Sequence, residues 1–128
     1  MSATTIHFVR HGKVYNPDHL LYERLPDFHL SDLGRRMAQA TAAYLANSPQ
    51  TNTISAVYSS PLDRTRETAD AILDALNPVR EARGEAPLML TADERVIEAG
   101  NEFRGKRTGH GEGALWKNGT WKLVTNLY

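Results

Sequence analysis

The order of its segments predicts an α/β protein, a three-layer α/β/α sandwich on a mostly parallel sheet. Three observations carry this expectation. A β-prone run, Thr4 to Val9, ends abruptly in Arg10-His11-Gly12, as a buried strand does when it delivers polar side chains to its carboxyl edge. Two stretches of helical period follow, one from Ser31 to about Asn47 and one from Ser59 to Asn77. Short β-prone runs, Ile54 to Tyr58 and Leu88 to Thr91, alternate with them, and this alternation is the pattern of right-handed crossovers in a parallel sheet covered by helices.

Each element has a local reason. Thr4 to Val9 is rich in β-branched and aromatic residues, which fit a pleated surface. Lys13 to Leu30, with Pro17, Pro26 and several charges, is long for a connection in a compact domain, and loops of that length are usually functional or disordered. Ser31 is placed to cap the first helix, because its hydroxyl can accept from the free amides of the first turn, and Asp32 suits the positive end of the helix dipole. Leu33, Met37, Ala40 and Tyr44 then form an apolar stripe expected to pack on the sheet.

Ser48 to Thr53 is turn-like. Ser59-Ser60-Pro61 reads as the second helix start, with serine at the cap and proline at the first helical position, where its missing amide costs nothing. Leu62, Thr65, Ala69, Ile72 and Leu76 are its expected buried stripe, and Asn77-Pro78 its end. The charged connector Val79 to Pro87 leads to the third strand. Residues 100–128 are expected to be irregular or partly ordered, punctuated by glycine and anchored by Trp116, Trp121, Leu123 and Val124.

Composition limits the function classes. A chain of 128 residues, 41% hydrophobic, suits one domain over residues 1–128. Its 15 basic and 15 acidic side chains cancel, so no excess positive field points to nucleic acid or to an anionic membrane. Without cysteine there is no disulfide, thiolate nucleophile or thiolate metal site. No leader-like or bilayer-length apolar run occurs, and a cytoplasmic protein is expected.

The chemistry lies at the strand ends. In an open parallel sheet the carboxyl ends of the strands line one crevice, so Arg10, His11 and Gly12, then Arg64, then Glu98 are expected on one rim. Two guanidinium groups suit a phosphoryl dianion, since each is planar, permanently charged and able to bind its oxygens bidentately. The same charges disfavour imidazolium, which keeps a lone pair on His11 for attack on phosphorus. Gly12 permits close backbone approach. Glu98 is the candidate acid that protonates the departing oxygen.

Several motifs carry a resemblance: Val9-Arg10-His11-Gly12, Leu30-Ser31-Asp32-Leu33-Gly34-Arg35, the run from Tyr58 through Ser59-Ser60-Pro61-Leu62-Asp63-Arg64 to Ala69, and Glu98. In this order, over residues 4 to about 105, they resemble the histidine phosphatase superfamily, the phosphoglycerate mutase-like proteins. The resemblance implies a transiently phosphorylated His11, phosphate held by Arg10 and Arg64, and Glu98 as proton donor. It also implies phosphate binding by Asn16, which sits one residue closer to the histidine than the family's asparagine. The implied activity is hydrolysis of a small-molecule phosphomonoester without a cofactor. A mutase using the same intermediate, or a non-catalytic phosphate-binding fragment, are the alternatives.

The family carries a second histidine late in the sequence, after another core strand. His110, within Gly109-His110-Gly111, lacks that context, and the chain reaches Tyr128 without the element. A truncated member is therefore expected, with unpaired backbone and apolar surface exposed where the missing strand would lie. Partner binding, homo-oligomerisation or poor solubility would follow.

Each of these positions also has an ordinary structural role. Arg64 would ordinarily pair with Asp63 or Glu67 on a helix surface. Glu98 would ordinarily be a solvated loop carboxylate, and Arg24 and His29 are expected in solvent. No metal site is expected, because His7 and His11 on one strand would stand about 13 Å apart and have no ligand cluster around them.

Overall fold

The protein is described by a computed structural model over residues 3–98. Two helices and a pair of parallel strands follow one another: α1 (Asp32–Asn47), β1 (Val57–Ser59), α2 (Asp63–Ala82) and β2 (Leu90–Ala92). A 3-10 turn, Glu94–Val96, closes the described region. β1 and β2 pair in parallel, with Val57 opposite Leu90, Tyr58 opposite Thr91 and Ser59 opposite Ala92. α2 is the crossover between them and packs on both, so β1-α2-β2 is a βαβ unit, with α1 laid against α2. Among the described residues no helix is long and apolar enough to cross a membrane.

α1 begins where its cap was expected. Ser31 is extended and its Oγ accepts from the Gly34 amide at 3.0 Å, while the same hydroxyl donates to the Lys13 carbonyl at 3.0 Å. The buried face is not the expected stripe, however. Leu33, Met37, Ala40 and Tyr44 are all exposed, and Gly34, Ala38, Ala42, Leu45 and Ala46 are buried instead. Ala42 and Ala46 lie toward α2, and Gly34 lies against the Lys13 backbone. Ala42, Leu45 and Ala46 join Ile72 and Leu76 of α2 in the core, with Ile54 and Val57 against them.

α2 departs from expectation at both ends. Its cap position is Leu62, with no side-chain cap bond. Ser60 and Thr65 instead share a hydroxyl contact of 2.7 Å, and Thr65 Oγ1 lies 2.8 Å from the Leu62 carbonyl. Of the expected stripe, Ala69, Ile72 and Leu76 are buried, whereas Arg64, Thr68 and Leu73 complete the face in place of Leu62 and Thr65. The helix also runs through Pro78 rather than stopping there. A proline interrupts the bond to the carbonyl four residues back, here that of the exposed Asp74, which water can satisfy. Asn77 faces the chain end of the loop, where its side chain both donates to and accepts from the Leu88 backbone at 3.0 and 2.8 Å. Termination falls to Gly84, at φ 77°, the left-handed position a glycine C-terminal turn requires.

The two paired strands, Val57–Ser59 and Leu90–Ala92, start three and two residues later than their sequence signals and end one residue later. Thr4 to Val9, the expected first strand, is not in the sheet. These residues are exposed, Phe8 at 94%, and belong to no ladder among the described residues. A β-prone sequence gains little until a neighbouring strand supplies its hydrogen bonds. The expected irregular segment 100–128, including His110, lies outside the described residues.

Lys13 to Leu30 is a built loop. Val14 and Leu30 form an antiparallel bridge, the Tyr15 amide donates to His29 at 2.9 Å, and Leu21, Tyr22 and Leu30 are buried. Gly12 and Gly34 touch through their backbones: a Cβ on Gly12 would meet the Gly34 carbonyl carbon at 2.8 Å, and one on Gly34 would meet the backbone of Lys13. Gly12 thus lies against the backbone of α1.

Candidate active site

Arg64 is the centre of the site. It stands in the first turn of α2, only 1% exposed, so its charge must be compensated inside the protein. Three groups do this. Its Nη2 donates to Glu98 Oε2 at 2.8 Å and to the Glu23 carbonyl, and its guanidinium carbon lies 4.6 Å from the centroid of the Tyr22 ring. Neither Asp63 nor Glu67 is its partner. Glu67 instead accepts from the Leu30 amide at 2.7 Å and from Arg35 at 3.0 Å, which ties the loop and α1 to α2. The Arg64 Nε is buried with no hydrogen-bond partner among the described residues, an unmet donor whose desolvation costs about 1–3 kcal/mol.

His11 is half-buried beside this charge. Its Nδ1 lies 2.7 Å from the Gly12 carbonyl. A carbonyl oxygen only accepts, so Nδ1 carries the proton and donates it, and in the neutral ring the lone pair is then on Nε2. Burial lowers the imidazole pKa below its ordinary value. The Gly12 hydrogen bond opposes that shift, Arg64 and Arg10 deepen it, and Glu98 opposes it again. Arg10 is exposed and acts on His11 through its charge. The Gly12 amide reaches Thr68 Oγ1 at 3.4 Å, and Thr68 donates in turn to the Arg64 carbonyl at 2.9 Å, joining the His11 segment to α2.

Four of the five residues expected at the site therefore act on one place: His11, Arg10, Arg64 and Glu98. Asn16 is engaged elsewhere. Its amide brackets a turn, donating to the Leu20 carbonyl at 2.8 Å and accepting from the Leu20 amide at 3.0 Å. Glu98 is held by Arg64 rather than solvated. Arg24, expected in solvent, is exposed but donates through Nε to the Glu98 carbonyl. His29 stacks on Tyr15 with ring centroids 6.0 Å apart. Among the described residues no group of three His, Asp or Glu side chains is arranged to hold a metal ion.

Tyr22, Glu23 and Thr68 were not singled out from sequence, and Glu67 was named only as a surface partner for Arg64. Thr68 was within reach, because it lies one helical turn after Arg64 on the same face. Tyr22 and Glu23 sit in an aperiodic loop, and Glu23 adopts a left-handed backbone, φ 43°, that no pattern in its neighbours announces.

A half-buried neutral imidazole with a free Nε2, a buried guanidinium and a carboxylate within one constellation can bind a phosphoryl group and exchange it with the ring nitrogen. The comparisons with known proteins agree with that chemistry. The family model of the histidine phosphatase superfamily (branch 1) matches residues 6–107. Two curated relatives from Mycobacterium tuberculosis, the uncharacterized protein Rv0525 of strain H37Rv and the uncharacterized protein MT0547 of strain CDC 1551, are each 44% identical over 125 residues. The alignment covers 98% of this chain and 55% of each relative, so the chain spans about half the length of the curated relatives it matches. With a family match over most of its length and its motif residues gathered around one buried arginine, the chain belongs to the histidine phosphatase superfamily, branch 1, and to that superfamily's α/β fold.

Proposed function

We propose that the protein hydrolyses a small-molecule phosphomonoester through a phosphohistidine on His11. The supporting observation is the contact of His11 Nδ1 with the Gly12 carbonyl: the carbonyl accepts the Nδ1–H hydrogen bond, and burial with two arginines keeps the ring neutral, which leaves Nε2 as the nucleophile at neutral pH. Arg64 and Arg10 hold the phosphoryl oxygens, and the unmet Nε–H of Arg64 gives such an oxygen a further donor. Asn16 joins them once its turn to Leu20 opens.

In the first step Nε2 attacks phosphorus and the P–O ester bond breaks. Glu98, released from Arg64 as the dianion takes over that guanidinium, takes up a proton from solvent and passes it to the departing alkoxide. In the second step water attacks the phosphohistidine, Glu98 takes its proton, and inorganic phosphate and neutral His11 are regenerated. No cofactor enters either step. A mutase would deliver the phosphoryl group to an acceptor hydroxyl in place of water.

A second reading, phosphate binding without turnover, is favoured by one observation: the Glu98 carboxylate already occupies Arg64. Release of phosphate from an aryl phosphomonoester by the wild-type chain and by His11→Ala separates the two. The enzyme reading expects activity that His11→Ala abolishes, whereas equal activity, or none in either, removes it for this chain. A cytoplasmic location and self-association through exposed apolar surface accompany the proposal.

A further inference from the structure

We propose that Tyr22 is a positioning residue for Arg64: the face of its ring fixes the plane of the guanidinium and keeps it dry, so that phosphate meets a preset donor. The inference rests on the phosphate-binding reading of the site. A buried arginine is held directionally by its hydrogen bonds and its packing, and of the three groups on Arg64 two are oxygens bonded to the single nitrogen Nη2. Once phosphate displaces Glu98, only the Glu23 carbonyl remains of these two, and one bond at one nitrogen does not fix the guanidinium plane. The ring supplies the missing constraint, since it lies 4.6 Å from the guanidinium carbon and attracts the cation through its face.

Tyr22 is itself fixed. It is 7% exposed and stacks on Phe28 with centroids 5.2 Å apart. The loop that carries it is pinned by the Val14–Leu30 bridge and by the Leu30 amide on Glu67. When phosphate displaces Glu98 from Arg64, the ring is the contact that does not compete for donors. Arg64 would then keep its orientation through the exchange.

The test is calorimetric titration of the full chain with inorganic phosphate, with circular dichroism to verify folding. Tyr22→Phe keeps the ring and should bind as wild type, while Tyr22→Leu should bind about tenfold more weakly, the loss of one desolvated cation–π contact. In an Arg64→Met background, Tyr22→Leu should cause no further loss. Wild-type affinity in Tyr22→Leu, or an equal loss in the Arg64→Met background, would overturn the proposal, the latter because Tyr22 would then act only through packing. Absence of phosphate binding by the wild type would overturn the reading of the site itself and this inference with it. An independent measurement needs no variant at Tyr22. The Arg64 guanidinium proton resonances, assigned by their loss in Arg64→Lys, should be displaced upfield by the ring current; resonances at ordinary positions contradict the contact.

Discussion

His11 turns on a balance of charges that titration can read. Burial, Arg64 and Arg10 place its pKa below the usual 6.5, against the Gly12 hydrogen bond and Glu98. Its ring-proton resonance should therefore titrate with a midpoint below 6.5 in the folded protein. Arg64→Met should raise that midpoint and Glu98→Gln lower it, and shifts of opposite sign would refute the electrostatic assignment. The linkage has a definite direction. Between 6.5 and the lower folded value the unfolded chain binds more protons than the folded one, so acidification through that window costs stability, and the cost is complete below the folded pKa.

Glu98 has its own kinetic signature. If it protonates the leaving oxygen, Glu98→Gln should slow cleavage of an alkyl phosphomonoester by about a hundredfold or more and leave an aryl substrate with an acidic leaving group much less affected. Equal slowing of both would assign Glu98 to holding Arg64 alone. The partnership between Glu98 and Arg64 was anticipated only as a shared rim, because ion-pair identity depends on where Tyr22 and Glu23 place the guanidinium. Those two residues come from a loop without periodicity.

Among the elements, α1 tests the packing account. Ser31 satisfies an amide of the first turn and holds the Lys13 carbonyl, so Ser31→Ala should lower unfolding free energy by about 1 kcal/mol. Gly34→Ala should cost more, about 1–3 kcal/mol, because the new methyl group runs into the Lys13 backbone with no flexible side chain to yield. Denaturant midpoints measure both, and a neutral Gly34→Ala would contradict the close contact between α1 and the His11 segment. The Ser31 cap was legible in sequence because capping is a local exchange of hydrogen bonds. The phase of α1 was not: periodicity ranks Leu33, Met37 and Tyr44 as most apolar, but packing on α2 selects Ala42 and Ala46, and the Lys13 backbone selects glycine at position 34. Pro78 misled for a similar reason, since one lost bond at an exposed carbonyl is outweighed by Asn77 holding Leu88 and by Gly84 supplying the left-handed turn.

At the scale of the whole molecule, the βαβ order and parallel pairing were readable because crossover topology follows from the alternation of elements. Membership of Thr4 to Val9 in a sheet was not decided by that run alone. Its hydrogen bonds need a neighbour, and Ile6, Phe8 and Val9 remain exposed together with Leu33, Met37 and Tyr44. These apolar surfaces predict self-association, which a concentration series in analytical ultracentrifugation would detect as a rising weight-average mass; a constant monomer mass would refute it. The account as a whole depends on covalent chemistry at one nitrogen. Incubating the chain with a phosphoryl donor, quenching in base and locating the added phosphate by peptide mass spectrometry tests it directly. The prediction is a phosphate on His11 that is labile in acid, stable in base and absent from His11→Ala; a phosphate on a hydroxyl residue, stable in acid and labile in base, or none on His11, would contradict it.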